Sequence, residues 1–297
     1  MPQSPCQGYT WVLHGGLNMH TLRSFPFLTL TLFLTYTGLY STEQDTPKPN
    51  PSDIRIVAVI PTPESAGVKT RIIFPESKDF IKSNPVRVQI RVDGFPLRTY
   101  SQFARAKEVL NYTEEGQSLH IIVDNQPYFI KNEAIVNSLQ EVDIYYEQAL
   151  EFNLPMELSP GQHLLRVFPA RSYGESLKAP GCFDTRLFYV DSKTPLIDIT
   201  LNKPYLTYNQ PQGHCKYQKD KPLLLDFYIS NTQLSSDGYK VRLTLDRSIV
   251  RILTKWVPYY IYGLKEGNHT CKIELLDETN KVVPGPFNAI EREFCIR

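Results

Sequence analysis

The chain contains an internal copy of itself, displaced by 106 residues. Six identities recur without a gap: Leu158 and Leu264, Gly161 and Gly267, His163 and His269, Pro180 and Pro286, Arg186 and Arg292, Phe188 and Phe294. A period of about 100 residues is too long for a solenoid repeat and is typical of consecutive β-sandwich domains. We therefore expect a mainly β protein made of two tandem sandwiches.

Composition agrees with this expectation and removes one class of partner. The 297 residues are enough for about two domains of ordinary size. The chain has 18 Tyr and 23 Pro, which favours strands and turns over helices. Arg23 is the only charged residue before Glu43, so the rest of the chain is formally neutral. Without a basic surplus, nucleic acid is not expected as a partner.

The N-terminal region has the pattern of an export leader. Arg23 precedes an apolar run of about 15 residues, interrupted by threonines, which is short for a membrane span of about 20 residues. We interpret residues 1–40 as a signal peptide or an N-terminal anchor, with translation alternatively starting at Met19. The predicted location is the periplasm or the cell surface, with membrane contact only through an uncleaved leader.

Composition and patterning divide the remainder. Residues 41–53 form a polar, Pro-rich spacer. Residues 54–192 are predicted as the first domain, residues 193–204 as a linker, and residues 205–297 as the second domain. The first domain contains two stretches that the second lacks, residues 101–112 and 132–142, and both have helical spacing. We expect short helical or loop insertions there.

Three segments carry a family resemblance. They are LSPGQHLLRVFPARSYGESLKAPG at 158–181, PLLLDFYISN at 222–231 and LLDETNKVVPGPFN at 275–288. Together they resemble a family of uncharacterised exported bacterial proteins with immunoglobulin-like modules, over residues 70–297. The resemblance implies tandem immunoglobulin-like sandwiches and export. It assigns no catalytic, cofactor-binding or metal-binding residue.

Cysteine placement suggests one disulfide. Cys271 and Cys295 fall on the two arms of a predicted hairpin, where opposed residues lie close enough for a bridge. Side-chain alternation opposes this pairing. Cys271 shares the apolar face of its arm, whereas Cys295 alternates with Phe294 and Ile296 and points outward unless a bulge intervenes. Both alternatives stay open.

The duplicated histidines are better explained by folding than by chemistry. His163 and His269 each follow a glycine turn at a strand start, where an imidazole can bind turn carbonyls. One histidine per module does not make a metal site. The stretch Gly174-Glu175-Ser176 begins like a nucleophile elbow, but Lys178 replaces its second glycine, so we expect a hairpin loop. No cofactor is predicted.

An aromatic strand is the strongest candidate for contact with a ligand. In a strand, Trp256, Tyr260 and Tyr262 share one face. If exposed, these rings could stack on a sugar or on a partner protein; if not, they pack against the first module. Arg166 and Lys272 occupy equivalent positions, and we expect both on outer sheet faces as cross-strand charge neighbours.

These observations lead to three hypotheses of function. The first is a non-catalytic structural or interaction protein of the cell envelope, whose partner is an unknown envelope protein or glycan. The second is a carbohydrate-binding protein that uses the aromatic face. The third is an unrecognised hydrolase in the enlarged first domain, which would need a clustered acid, base or nucleophile within residues 100–150.

Overall fold

The computed structural model describes residues 54–64, 66–110, 115–133, 136–139, 146–193 and 199–297. The predicted leader and spacer lie outside these residues. In chain order the elements are β1 Arg55–Ala58, β2 Lys69–Phe74, β3 Phe80–Ile81, β4 Arg87–Asp93, α1 Arg105–Glu108, β5 Ser118–Val123, β6 Phe129–Lys131, β7 Val136–Leu139, β8 Tyr146–Asn153, β9 Gly161–Ala170, β10 Asp184–Val190, β11 Tyr205–Gln210, β12 Gly213–Cys215, β13 Leu223–Ser230, β14 Lys240–Leu245, β15 Ile249–Leu253, β16 Tyr259–Tyr262, β17 Gly267–Leu276 and β18 Ala289–Ile296.

The first module is an immunoglobulin-like sandwich of two sheets. One sheet has the order β2-β4-β8-β7 and the other β3-β10-β9-β5-β6. All pairs are antiparallel except β3 with β10. The N-terminal edge strand of this module is thus divided into two short strands, with β2 in one sheet and β3 in the other. This confirms the predicted fold class for the first module.

The second module repeats this arrangement with one change. Its sheets have the orders β11-β13-β16-β1 and β12-β18-β17-β14-β15, and the parallel pair is β12 with β18. Strands β9 and β10 of the first module correspond to β17 and β18 of the second. The 106-residue repeat therefore marks the strands with the same place in both sandwiches.

Strand β1 is the change, and it corrects a prediction. Residues 54–60 were expected in the first domain, but β1 pairs with β16 of the second module, with Arg55 opposite Tyr262 and Ala58 opposite Tyr259. Only residues 254–258 join β15 to β16, whereas residues 132–145 join β6 to β8 and include β7. The second module therefore has no strand of its own on the outer edge of β16, opposite β13, and β1 takes that position.

Each module has its own apolar core, and the repeat predicts its members. Three equivalent pairs are all 0% exposed: Val167 and Ile273, Phe188 and Phe294, Val190 and Ile296. Burying a side chain of this size contributes about 1.5 to 3 kcal/mol. The agreement in apolar type between the copies thus reflects a shared packing requirement.

The two insertions have different outcomes. Residues 101–112 contain α1, as expected, although α1 is only four residues long. The helical prediction for residues 132–142 is wrong, because the chain forms β7 there and pairs with β8. Within the described residues, we found no helix long and apolar enough to cross a membrane.

Candidate functional site

The duplicated histidines make equivalent hydrogen bonds that hold the turn before each strand. His163 Nε2 lies 2.7 Å from the Ser159 carbonyl oxygen, and its Nδ1 lies 2.8 Å from an Asp124 carboxylate oxygen. The same Asp124 accepts from the Leu164 backbone N–H at 2.9 Å. His269 repeats the arrangement at 2.9 Å to both partners. The expectation that imidazoles bind turn carbonyls is confirmed.

The aspartates also explain the turn geometry and the histidine pKa values. Asp124 and Asp246 have φ of 52° and 46°, a region that Asp tolerates better than most residues. Burial alone would lower the pKa of His163 and His269. The hydrogen bonds to the aspartate and the backbone carbonyl outweigh burial, so both pKa values lie above the ordinary value.

The predicted aromatic face is not a shared exposed surface. Tyr260 is only 6% exposed, and its hydroxyl donates to Glu108 Oε2 at 2.7 Å and accepts from Arg105 Nε at 3.0 Å. Trp256 is half-buried and donates its indole N–H to the backbone carbonyl of β13 at Phe227. Of the two alternatives, packing against the first module is therefore the one that holds for Tyr260.

Tyr262 is more exposed than Tyr260, but its ring contacts residues of this chain. It is half-buried, and the Arg55 guanidinium lies 4.9 Å from its ring centroid. Its ring is 6.1 Å from that of Tyr260, in an edge-to-face arrangement. Tyr260 and Tyr262 thus pack around the end of β1 and α1, whereas Trp256 packs beside Tyr228 of β13.

The predicted bridge between Cys271 and Cys295 does not match the strand register. Cys271 is opposite Arg292, and Cys295 is opposite Asn268, three positions along the hairpin. Both cysteines are free and buried. Burial raises the pKa of Cys271 to about 12, which disfavours its thiolate. The strand register therefore opposes the bridge, while Cys295 is buried rather than exposed.

The outstanding feature of the molecule is the buried contact between the modules. The outer face of the β9-β5 sheet lies against the outer face of the β11-β13-β16 sheet, so the four sheets stack in layers. Its apolar centre brings Ile122 and Phe168 of the first module against Tyr228 of the second. The Phe168 and Tyr228 ring centroids are 4.8 Å apart. We call this contact the module interface.

A polar network centred on Asp226 lies inside the module interface. Asp226 is 0% exposed and accepts from Ser176 Oγ at 2.5 Å, Lys178 Nζ at 2.5 Å and Asn209 Nδ2 at 2.7 Å. Ser176 and Lys178 belong to the first module, whereas Asn209 and Asp226 belong to the second. The carboxylate therefore ties the long hairpin of one module to two strands of the other.

His120 extends this network across the interface. Its Nδ1 lies 2.7 Å from Asn209 Oδ1, and its ring stacks on Tyr128 with centroids 3.8 Å apart. Burial lowers the pKa of His120 to about 4, so its imidazole is neutral near pH 7. A neutral imidazole can donate its Nδ1 proton to Asn209 and needs no counter-ion.

A second network joins the segment after β1 to the α1 insertion. Arg105 forms an ion pair with Glu175 at 2.5 Å, and their side chains are 10% and 4% exposed. Glu175 also accepts from the Thr62 hydroxyl at 2.5 Å. Arg105 reaches Tyr260 as described above. One guanidinium therefore joins α1, the first-module hairpin and β16.

Arg166 corrects the surface-charge prediction. It is 1% exposed, donates to Thr207 Oγ1 at 2.9 Å and lies 4.4 Å from the Phe287 ring centroid. The face that carries it is outward in the first module alone, but the second module covers it. Lys272 lies on an outer face as expected, but its Nζ lies 2.9 Å from Glu274 of the same strand, so this ion pair is not cross-strand.

One pocket lies beside the linker. It has a volume of about 210 Å³ and is bounded by residues 199–205 and the second-module loop 284–288. Apart from Lys203, its lining side chains carry no charge, and they are mainly apolar. Among the described residues, no group of three or more His, Cys, Asp or Glu side chains could hold a metal ion.

Sequence reasoning missed the residues of the interface. Asp226 lies in the quoted segment PLLLDFYISN, yet it was not selected as a candidate. The sequence signal that could have found them is a run of apolar residues without alternation. In the structure β13 is buried at seven of its eight residues and β5 at all six. A strand without alternation is covered on both faces. A carboxylate inside such a strand requires buried partners.

Comparisons with known proteins assign neither a family nor a function to this chain. No family model and no curated protein matches the chain. Among solved structures, the fibronectin(III)-like modules of CbhA from Clostridium thermocellum share 12% identity over 77% of this chain and 94% of theirs, with a TM-score of 0.25. DIP-gamma IG1+IG2 shares 10% identity over 77% of this chain and 96% of its own, with a TM-score of 0.19.

A third similar structure is a glycan-utilisation protein. SGBP-B from Bacteroides ovatus, solved with a mixed-linkage heptasaccharide, shares 9% identity over 82% of this chain and 70% of its own, with a TM-score of 0.17. At these scores and identities, none of the three transfers a function. The assignment to the immunoglobulin-like class rests on the strand order and pairing described above.

Proposed function

We propose that the protein is a non-catalytic structural or interaction protein of the cell envelope, in which the two modules act as one rigid body. The observation that carries this proposal is the buried carboxylate of Asp226, which binds Ser176 and Lys178 across the module interface. Breaking that contact would leave charges unpaired in a low-dielectric interior. The relative orientation of the modules is therefore fixed by the same contacts that stabilise them.

The reactive side chains support a non-catalytic role. A serine nucleophile needs an accessible hydroxyl and a neighbouring base. Ser176 is 2% exposed and donates its hydroxyl proton to Asp226. Lys178 is engaged by the same carboxylate. In the described part of residues 100–150, Arg105 and His120 are both used in inter-module contacts, which weakens the hydrolase hypothesis.

Export and the identity of the partner are parts of the same proposal. The leader pattern at residues 1–40 supports a periplasmic or surface location, with a protein or glycan of the envelope as partner. Fractionation with intact-mass measurement of the exported form tests this, and recovery only of full-length cytoplasmic chain contradicts it. The glycan alternative is weaker, because Tyr260 is buried and Trp256 binds the backbone of β13.

Distance measurement between spin labels tests the rigid body. One label is placed at Ser77 of the first module and one at Glu278 of the second, both on exposed turns. The four cysteines of the described region are buried and Cys6 is replaced by Ser, so the engineered cysteines are labelled selectively. We expect a single narrow distance distribution.

The matched control carries both labels in the second module, at Asp237 and Glu278. Its width reports the mobility of the labels alone. An inter-module distribution as narrow as this control supports a fixed joint. A much broader or multiple distribution would show that the modules move independently, and the proposed rigid role would be wrong.

A further inference from the structure

The second module has a strand position that its own chain does not fill. In the first module, β7 pairs with β8 at the sheet edge. The equivalent edge of the second module is β16, and residues 254–258, which precede it, contain no strand. Strand β1, which lies before the first module in the chain, pairs with this edge instead.

The edge of β16 has the features of a strand-binding site. Backbone pairing covers four residues, and the Val59 N–H adds a bond to the Pro258 carbonyl at 3.0 Å. Ile54 is 3% exposed and belongs to the core of the second module, and Ile56 packs against the same core. Strand addition of this kind obtains affinity from main-chain bonds and specificity from alternate side chains.

The donor segment is joined to the rest of the chain by a single connection. Residues 61–68 lead from β1 to β2 of the first module and include Pro61 and Pro63. Residues 55–58 pair with β16 of the second module, and the Ile60 carbonyl accepts from Arg105 of the first module. Any copy of the segment placed on this edge would make the same contacts. Which copy occupies the edge depends on the connection and on protein concentration.

We infer that the β16 edge is a strand-binding site that also accepts residues 54–60 from a second copy of this chain, giving a strand-exchanged dimer. Exchange of an identical element between protomers replaces the intramolecular contacts of that element with the same intermolecular ones. The inference goes beyond the proposed rigid body by naming a partner. Its failure would leave the module interface unaffected.

The first experiment tests the site in the full chain. A protease recognition sequence is inserted between the exposed residues Ala66 and Gly67, and the folded protein is cleaved there. A fluorescent peptide of residues 54–66 is then added, and its uptake is followed by anisotropy. We expect the peptide to replace the cleaved segment at one per molecule.

The control peptide carries Ile54→Asp and Ile56→Asp, which removes both apolar contacts without altering the protein. It should bind about 100-fold more weakly. Failure of the wild-type peptide to enter, or equal binding of the two peptides, would overturn the strand-binding site.

The second experiment tests the partner. Uncleaved chains with natural and heavy nitrogen isotopes are mixed at high concentration, warmed and examined by native mass spectrometry. A dimer containing one light and one heavy chain is expected, and Ile54→Asp should abolish it. Ile60→Asp serves as the matched control, because Ile60 is 87% exposed and the variant should still form the mixed dimer. A wild-type chain that remains monomeric overturns the proposed partner.

Discussion

At the scale of residues, Asp226 links the two modules through a single buried carboxylate. It is fully buried and serves Ser176, Lys178 and Asn209 at once. Removing one member of a buried ion pair leaves the other charge without compensation. Its position thus makes stability and module orientation depend on one carboxylate.

Asp226→Ala is expected to lower the free energy of unfolding by about 3 to 5 kcal/mol, because the Lys178 ammonium stays buried without its partner. Equilibrium unfolding in denaturant measures this loss. Glu266→Ala, at an exposed loop position, is the control and should not move the midpoint. A loss below about 1 kcal/mol for Asp226→Ala, the median worth of an exposed pair, would show that the network is not important.

His120 gives the interface a dependence on pH. Because its folded pKa is about 4 and its unfolded value 6.5, stability is lost as pH falls from 6.5 toward 4. The unfolded chain gains a proton that the folded chain excludes. His163 and His269 have raised pKa values, so their contribution is complete below 6.5 and is lost at higher pH.

Comparison with His120→Gln isolates this residue from the other titrating groups. Between pH 7 and pH 5, the stability of the wild-type protein relative to the variant should fall by about 2 kcal/mol. Urea unfolding at both pH values provides the measurement. An unchanged difference between the two proteins would mean that His120 is not buried in neutral form.

At the scale of elements, the position of β1 in the chain differs from its position in the fold. It precedes the first module but completes a sheet of the second. The β-branched residues that dominate residues 54–60 are typical of a strand. Sequence patterning did not reveal its partner, because strand pairing depends on which edge remains open after folding.

Ile54→Asp should therefore weaken the second module, although the substitution lies before the first. Ile54 is 3% exposed in the second-module core, so the loss should be about 3 kcal/mol or more. Amide hydrogen exchange should show faster exchange in β13 and β16. Ile60→Asp is the control, and faster exchange confined to the first module would contradict the assignment of β1.

The sequence predicted the repeated parts of the structure better than the joint between them. Phe188 and Phe294 identified equivalent core positions, and His163 and His269 identified equivalent turns. The interface is not repeated, because the first module offers one sheet to it and the second module offers the other. Arg166 illustrates the difficulty: an outward side chain becomes buried only when another module covers it.

At the scale of the whole molecule, four stacked sheets make one body from two immunoglobulin-like modules. Tandem modules joined only by a linker usually unfold as separate units. Here β1 belongs to the second module, while the connection that follows it is bound to Glu175 of the first. Unfolding of either module therefore disrupts contacts of the other.

Differential scanning calorimetry of the wild-type protein tests this coupling most directly. If the modules unfold together, one transition appears, and its calorimetric enthalpy equals the van't Hoff enthalpy. Asp226→Ala should lower the temperature of that single transition. Two resolved transitions in the wild-type protein, each with the enthalpy of about half the chain, would contradict the single rigid body.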